Sequence, residues 1–412
     1  MEGIVFKIKR KSKKMNLNKV EQLSGIDKTM ISRFENQKLT LTQNQIDLLF
    51  SIIGEENCTN FEQKQALLKY VQQMYLDFIQ ENKFKYTYQE YIIQGWQNIH
   101  SEEYFVYLIG LLIYGYEDKF AQNTLLLFDL IKLIKEYEDY IPISFQSIFL
   151  CIAGLYYARQ VDWNHSLKLF HKAKIIATND LTHAFSLYHL GKHRSYSCDL
   201  LDALDLLTQA KRLFDQHFYI KNALYCQIEI GYVYMKMGLY QKAEEIFVDC
   251  IQLNNKYLIS LSVTNKIYSL LLYMYLNAKS YEKINELCAY MLKHRVHEFL
   301  AYFYLGMSSF YKNDWNKAKQ YFTVAQKYKK TDEEYCIDKM MIQAYRLVMN
   351  GRDFIEYEKK FLKIYQYSLD KNDMFLQMFI LEVLVDLAKK ENKTTELIKY
   401  YSLLHDKLKE RH

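Results

Sequence analysis

Residues 231–250 read GYVYMKMGLYQKAEEIFVDC, and the spacing inside this stretch decides the fold. Gly231 is followed after 12 residues by Ala243, after 4 more by Phe247 and after 3 more by Cys250. The same gaps join Gly154, Ser166, Phe170 and Ala173; Gly191, Ala203, Leu207 and Ala210; and Gly306, Ala318, Phe322 and Ala325. Leu272, Ile284, Cys288 and Met291 form a degenerate copy at the same gaps. Small residues recur where two antiparallel helices must approach closely, and large ones fill the space between pairs. Such pairs cannot bury their faces alone, so they must stack on one another.

This is the tetratricopeptide pattern, with starts 34 to 41 residues apart and turns that vary accordingly. The rest of the composition agrees. One proline (Pro142) and 12 glycines in 412 residues leave little of the punctuation that sheets and tight turns need. A content of 50% hydrophobic residues, with 38 tyrosines, is ample for a core and argues against disorder. The expected fold is all-α: an N-terminal bundle over 1–58, a linker helix within 59–82, a right-handed superhelix of repeats over 83–393 and a lysine-rich capping helix over 394–412. Weaker helix pairs are expected around 63–140 and 335–410.

The net charge of +6 is concentrated in one place. Residues 1–40 hold ten Lys and Arg against four Asp and Glu, while the remaining 372 carry 44 of each sign. A localised cationic patch attracts phosphate and releases counterions. The segment is also patterned as helices, which sets it apart from a solvated basic tail. Asn16 offers an N-cap to a helix from Leu17 to about Ser24, Gly25 supplies a turn, and Asp27 caps a helix from Lys28 to about Asn36. Ile26 and Ile31 are placed to fix the angle between the two helices. Such a unit is a helix-turn-helix, whose second helix enters the major groove N-terminus first. Lys28, Thr29 and Met30 would face base edges, with Ser32 and Arg33 near phosphates and Lys38 just beyond.

The string N-x-x-x-V-x-x-x-x-G-I-D-x-x-x-I-S-R-F-E, from Asn16 to Glu35, resembles the Xre/Cro type of helix-turn-helix. Ser32 to Asn36 followed by Lys38 to Thr42 looks closer to the Rgg and PlcR branch. That resemblance implies an ion pair between the first helix and the end of the recognition helix, at Arg10 and Glu35 here. Two positions depart from the family: Glu21 replaces a small residue, and Leu17 stands where a glutamine often contacts phosphate. Asn16 or Asn18 would have to replace that contact.

In a tetratricopeptide array the first helix of each pair lines the concave wall. The usual frame turns Arg159, Tyr188, Lys192, Tyr225 and Tyr232 inward, together with Lys236, Tyr273, Asn277, Phe303 and Tyr311. Tyrosines give contact area at low entropic cost, while Asn, Arg and Lys can hold a peptide backbone or a terminal carboxylate. Aromatic residues at helical spacing are equally suited to packing against the next repeat. A Xre-type module joined to such an array resembles the RRNPP regulators, the family of Rgg, PlcR, NprR and PrgX. The resemblance implies a short signalling peptide as ligand, a homodimer, and peptide control of DNA binding for transcription regulation in quorum sensing.

No P-loop, dinucleotide fingerprint, nucleophile elbow or H-E-x-x-H motif occurs. His189 and His193 stand one helical turn apart without a matching cysteine or carboxylate, so neither a metal nor a cofactor is expected. The seven cysteines, 58, 151, 198, 226, 250, 288 and 336, never form a C-x-x-C pair. They read as reduced residues of a cytoplasmic protein. The apolar run Tyr104 to Tyr116 is too short for a bilayer and reads as a buried helix. Catalysis is not expected. Two function classes remain: a dimeric peptide-gated regulator on a palindromic operator, and a tetratricopeptide adaptor that, like Rap proteins, acts by binding a signalling protein.

Overall fold

The computed structural model describes residues 1–55, 61–117, 124–196, 199–328, 336–370 and 374–409. These form 22 α-helices and two short 3-10 helices, with no strand among the described residues. The chain divides into two compact units, Met1–Leu187 and Tyr188–His412. Cys58 and Cys198, the end of the expected exit Gly54–Asn60, the Glu333–Glu334 pair and residues 410–412 lie outside the described residues.

The first unit opens with four short helices, Glu2–Ser12, Leu17–Ser24, Lys28–Glu35 and Gln43–Ile52. Their caps follow the sequence signals. Asn16 Oδ1 accepts from the Lys19 N–H at 2.8 Å, Gly25 turns at φ 69°, and Asp27 Oδ1 accepts from the Thr29 N–H at 2.7 Å. Ile26 and Ile31 are buried together with Phe6, Val20, Phe34, Leu49 and Phe50. A helix over Phe61–Gln80 follows, then Glu103–Glu117, which contains the apolar run and buries most of it. Among the described residues no helix is long and apolar enough to cross a membrane.

The second unit is built from antiparallel pairs in series. Ile220–Lys236 packs with Tyr240–Tyr257, Leu261–Asn277 with Tyr281–Lys293, and Glu298–Tyr311 with Trp315–Lys327. Cys336–Met349 and Phe354–Asp370, then Met374–Lys390 and Thr394–Lys409, continue the series, and one apolar core runs from Leu224 to Tyr400. The 12-residue gap has a direct cause. A Cβ on Gly231 would stand 2.7 Å from the Phe247 ring, and one on Gly306 would stand 2.5 Å from Phe322. The small residue therefore exists to seat the aromatic ring of the partner helix. Within-pair turns share a second device: a left-handed residue two positions before the second helix (Val161, Gly238, Lys279, Asn313) and an aromatic residue opening it (Trp163, Tyr240, Tyr281, Trp315). Only one of those four turn residues is glycine, so the turns accept backbone strain of about 1 kcal/mol each.

Candidate functional site

Two cavities lie side by side in the second unit. The larger, about 310 Å³, is lined by the expected residues Tyr232, Tyr273 and Phe303. Its far wall comes from Ile337, Asp338 and Met341 on one helix and Leu376 and Phe379 on another. The smaller, about 230 Å³, holds the expected Asn277 and Tyr311 together with Tyr281, Lys279, Glu382 and Asp386. Leu276 and Phe379 line both, so the two adjoin. The larger has the size and the apolar-aromatic walls of a ligand pocket.

Helical spacing explains which side chains meet there. On Leu261–Asn277, Asn265, Ser269, Tyr273 and Leu276 follow one another at three or four residues, one stripe of one face. Asn265 Oδ1 is buried and has no hydrogen-bond partner among the described residues, an acceptor suited to a donor such as a peptide N–H. The Tyr281 and Tyr311 rings stack with centroids 6.4 Å apart, and the Tyr311 hydroxyl meets that of Tyr345 at 3.0 Å. Burial holds the Tyr311 phenol well above its ordinary value, and the charges of Asp386 and Glu382 add to this.

The other end of the expected set is cationic. Ile220–Lys236 carries Asn222, Tyr225, Glu229, Tyr232 and Lys236 as a stripe. The Glu229 carboxylate is buried and accepts from Lys266 Nζ at 2.7 Å. Burial works to raise its pKa, but Lys266 and Lys192 outweigh burial and hold it below the usual range, with Lys236 contributing. Burial depresses the Lys192 ammonium, against the pull of Glu229. Lys236 Nζ donates to the Ser195 carbonyl at 2.8 Å and lies 4.9 Å over the Tyr232 ring. Tyr188 belongs to the same neighbourhood, where burial raises its pKa and the charge of Glu229 adds to the effect.

Arg159 is placed apart. It belongs to the first unit, where a guanidinium N–H donates to the Tyr116 carbonyl at 3.1 Å and the group lies 4.0 Å over that ring. Sequence reasoning also missed the far wall, because the helices Cys336–Met349 and Met374–Lys390 lack the small-residue spacing of the repeats. The Asn222-to-Lys236 stripe was a signal for Glu229 that residue-by-residue reading passed over.

At the N-terminus, Lys28, Thr29 and Met30 occupy the exposed first turn of the Lys28–Glu35 helix. Asn16, Asn18, Arg33 and Lys38 are exposed and Ser32 is half-buried. Glu21 Oε1 accepts the Lys28 N–H at 3.0 Å, so this departure from the family pattern staples the two helices. Arg10 and Glu35 meet in a buried bidentate pair. Lys9 is also buried. It pairs with Glu55 at 2.6 Å, donates to the Gln97 carbonyl and lies 4.8 Å over Tyr104, so its charge is spent inside the unit and not on the surface patch.

No family model matches the sequence, and no curated protein matches it. Solved structures do match in fold. A Rap protein complexed with Competence and Sporulation Factor superposes at TM-score 0.64 with 10% identity, over 84% of this chain and 99% of that one. The apo form of the quorum sensor NprR from B. thuringiensis gives 0.64 at 13% identity, over 84% and 99% of the two chains. NprR in complex with its cognate peptide NprX gives 0.60 at 13%, over 83% and 99%. The fold is theirs. At these identities the likeness carries the helical architecture and leaves the site to be argued from its own residues.

The four described cysteines whose surroundings are known (Cys151, Cys226, Cys250 and Cys288) are buried and free. Burial pushes the Cys250 thiol up to about 12, so it behaves as a small apolar residue and not as a nucleophile. Among the described residues no group of three or more His, Cys, Asp and Glu could hold a metal ion.

Proposed function

We propose that this chain is a cytoplasmic peptide-gated transcription regulator of the RRNPP type. Its repeats hold a short signalling peptide, and its N-terminal helices form a helix-turn-helix that reads a palindromic operator as a homodimer. The observation that carries the reading is the adjoining cavity pair, which gathers Tyr232, Tyr273, Asn277, Phe303 and Tyr311 on the first helices of successive repeats. The resemblance in fold to NprR, one of whose structures holds its cognate peptide, supports it. For the DNA half, the support is an exposed helix start at Lys28, Thr29 and Met30 and the cationic excess of residues 1–40.

Binding of the full-length protein to duplex DNA from its own upstream region tests the DNA half. The expected result is specific binding that weakens steeply between about 50 and 200 mM salt. Equal affinity for unrelated duplex at every salt concentration would remove it. The Rap neighbours favour a second reading, an adaptor that binds a signalling protein. A variant with Lys28→Ala and Arg33→Ala separates the two, since an adaptor keeps its regulatory effect in cells and a DNA-bound regulator loses it.

A further inference from the structure

The second unit carries opposite charges at the two ends of its aromatic cavity. At one end Lys192, Lys236 and Lys266 surround a single carboxylate, Glu229, which leaves a positive excess. Tyr232 connects this end to the cavity, since Lys236 lies over its ring and the ring lines the cavity wall. At the opposite end Leu276 and Phe379 lead into the smaller cavity, where Glu382 and Asp386 stand one helical turn apart, both exposed. Lys279 offsets one of these two charges, and Lys312 beside them is paired with Glu282 at 2.7 Å. The stacked faces of Tyr281 and Tyr311 add the negative quadrupole that attracts a cation.

A zwitterion laid along this path has one favourable direction. We infer that the groove fixes the polarity of its peptide. The C-terminal carboxylate sits at Lys192 and Lys266, a bulky apolar side chain fills the cavity between Tyr232 and Phe379, and a cation near the N-terminus sits at Glu382 and Asp386. The inference deepens the peptide-sensing reading and rests on it. Reversed, the same peptide would set its carboxylate against two carboxylates and its amine against three ammonium groups, a mismatch that selects against the wrong orientation.

The test uses full-length protein and a synthetic mixture of random linear peptides in three pools: free termini, N-acetylated and C-amidated. Affinity selection with mass-spectrometric readout identifies binders, which are then remade singly and titrated. Binders from the free pool should lose about tenfold in affinity on C-amidation, the scale of one charge-assisted contact. In Lys192→Gln/Lys266→Gln that amidation effect should vanish. In Glu382→Gln/Asp386→Asn it should persist, while the penalty for removing the N-terminal cation vanishes. Loss on acetylation assigns that cation to the α-amine, and loss only on replacing a basic side chain assigns it to that side chain. Loss on neither overturns the inference, as does the crossed result with the two variants exchanged. If Lys192→Gln/Lys266→Gln fails to fold, the exposed pair Glu382→Gln/Asp386→Asn decides alone, and unchanged sensitivity to the cation overturns the inference. Recovery of no peptide from any pool overturns the peptide-sensing reading itself, which separates the two failures.

Discussion

The guanidinium of Arg10 grips both oxygens of Glu35, Nε to Oε1 at 2.6 Å and Nη2 to Oε2 at 2.9 Å, with both side chains under a tenth exposed. The pair ties the Glu2–Ser12 helix to the last turn of Lys28–Glu35. A third donor from Arg10 reaches the Met15 carbonyl, so the guanidinium also holds the turn between the first two helices. Removing one partner strands a buried charge, whereas replacing both does not. Arg10→Ala should therefore destabilise the protein by about 3–5 kcal/mol, and Arg10→Met/Glu35→Leu by distinctly less. Urea unfolding followed by circular dichroism checks this. A cost below about 1 kcal/mol for the single variant would mean the pair behaves like a surface ion pair.

This pair was legible because the Asn16–Glu35 string resembles a known module, and so were the caps at Asn16 and Asp27, whose chemistry is local. The repeat register was legible for a steric reason, since Gly231 and Gly306 each leave room for a phenylalanine 16 residues later. The far wall of the cavities was not. Phe379, Glu382 and Asp386 meet Tyr273 and Tyr311 across about a hundred residues, and no local spacing encodes that approach. Charge counting also overstated the N-terminal patch, because a count cannot see that Lys9 and Arg10 are consumed by Glu55 and Glu35.

Gly306 offers the sharpest check on the repeat packing. A Cβ there would lie 2.5 Å from two ring atoms of Phe322, itself fully buried. Neither can move far in a close-packed interior. Gly306→Ala should cost about 1–3 kcal/mol by overpacking, although alanine is the better helix former. Adding Phe322→Leu to Gly306→Ala should recover part of that loss. Thermal melts of the two variants would show it, and a melting temperature raised by Gly306→Ala alone would contradict the packing.

His100 gives a dependence on pH. Its ring stacks on Phe50 with centroids 3.4 Å apart and is buried. Burial, then the charges of Lys9 and Lys64, bring its pKa down from 6.5 to about 3. Glu55, 3.9 Å from Nε2, is shared with Lys9 and does not reverse this. Between those limits the unfolded chain binds a proton that the native state refuses. Stability is therefore full above about pH 6.5 and falls as the pH drops toward 3. The contribution to the slope is about 1.4 kcal/mol per pH unit. His189, lowered by burial to about 3, acts in the same direction. His100→Phe should flatten the dependence of the urea midpoint on pH between about 4 and 6, and an unchanged slope would show that His100 titrates normally.

The N-terminal lysines should divide into two kinds, and salt dependence can tell them apart. Lys28 and Arg33 are exposed on one helix, while Lys9 is 3% exposed and engaged by Glu55, Gln97 and Tyr104. A cation that neutralises a phosphate releases counterions, so its loss lowers the slope of log affinity against log salt by about 1. Each of Lys28→Ala and Arg33→Ala should do this with little change in stability. Lys9→Met should leave the slope alone and destabilise the protein, because Glu55 loses its closest cation. Fluorescence anisotropy with upstream duplex across a salt series gives the slopes, and urea unfolding gives the stabilities. A slope lowered by Lys9→Met and untouched by Lys28→Ala and Arg33→Ala would move the DNA contact off the Lys28–Glu35 helix.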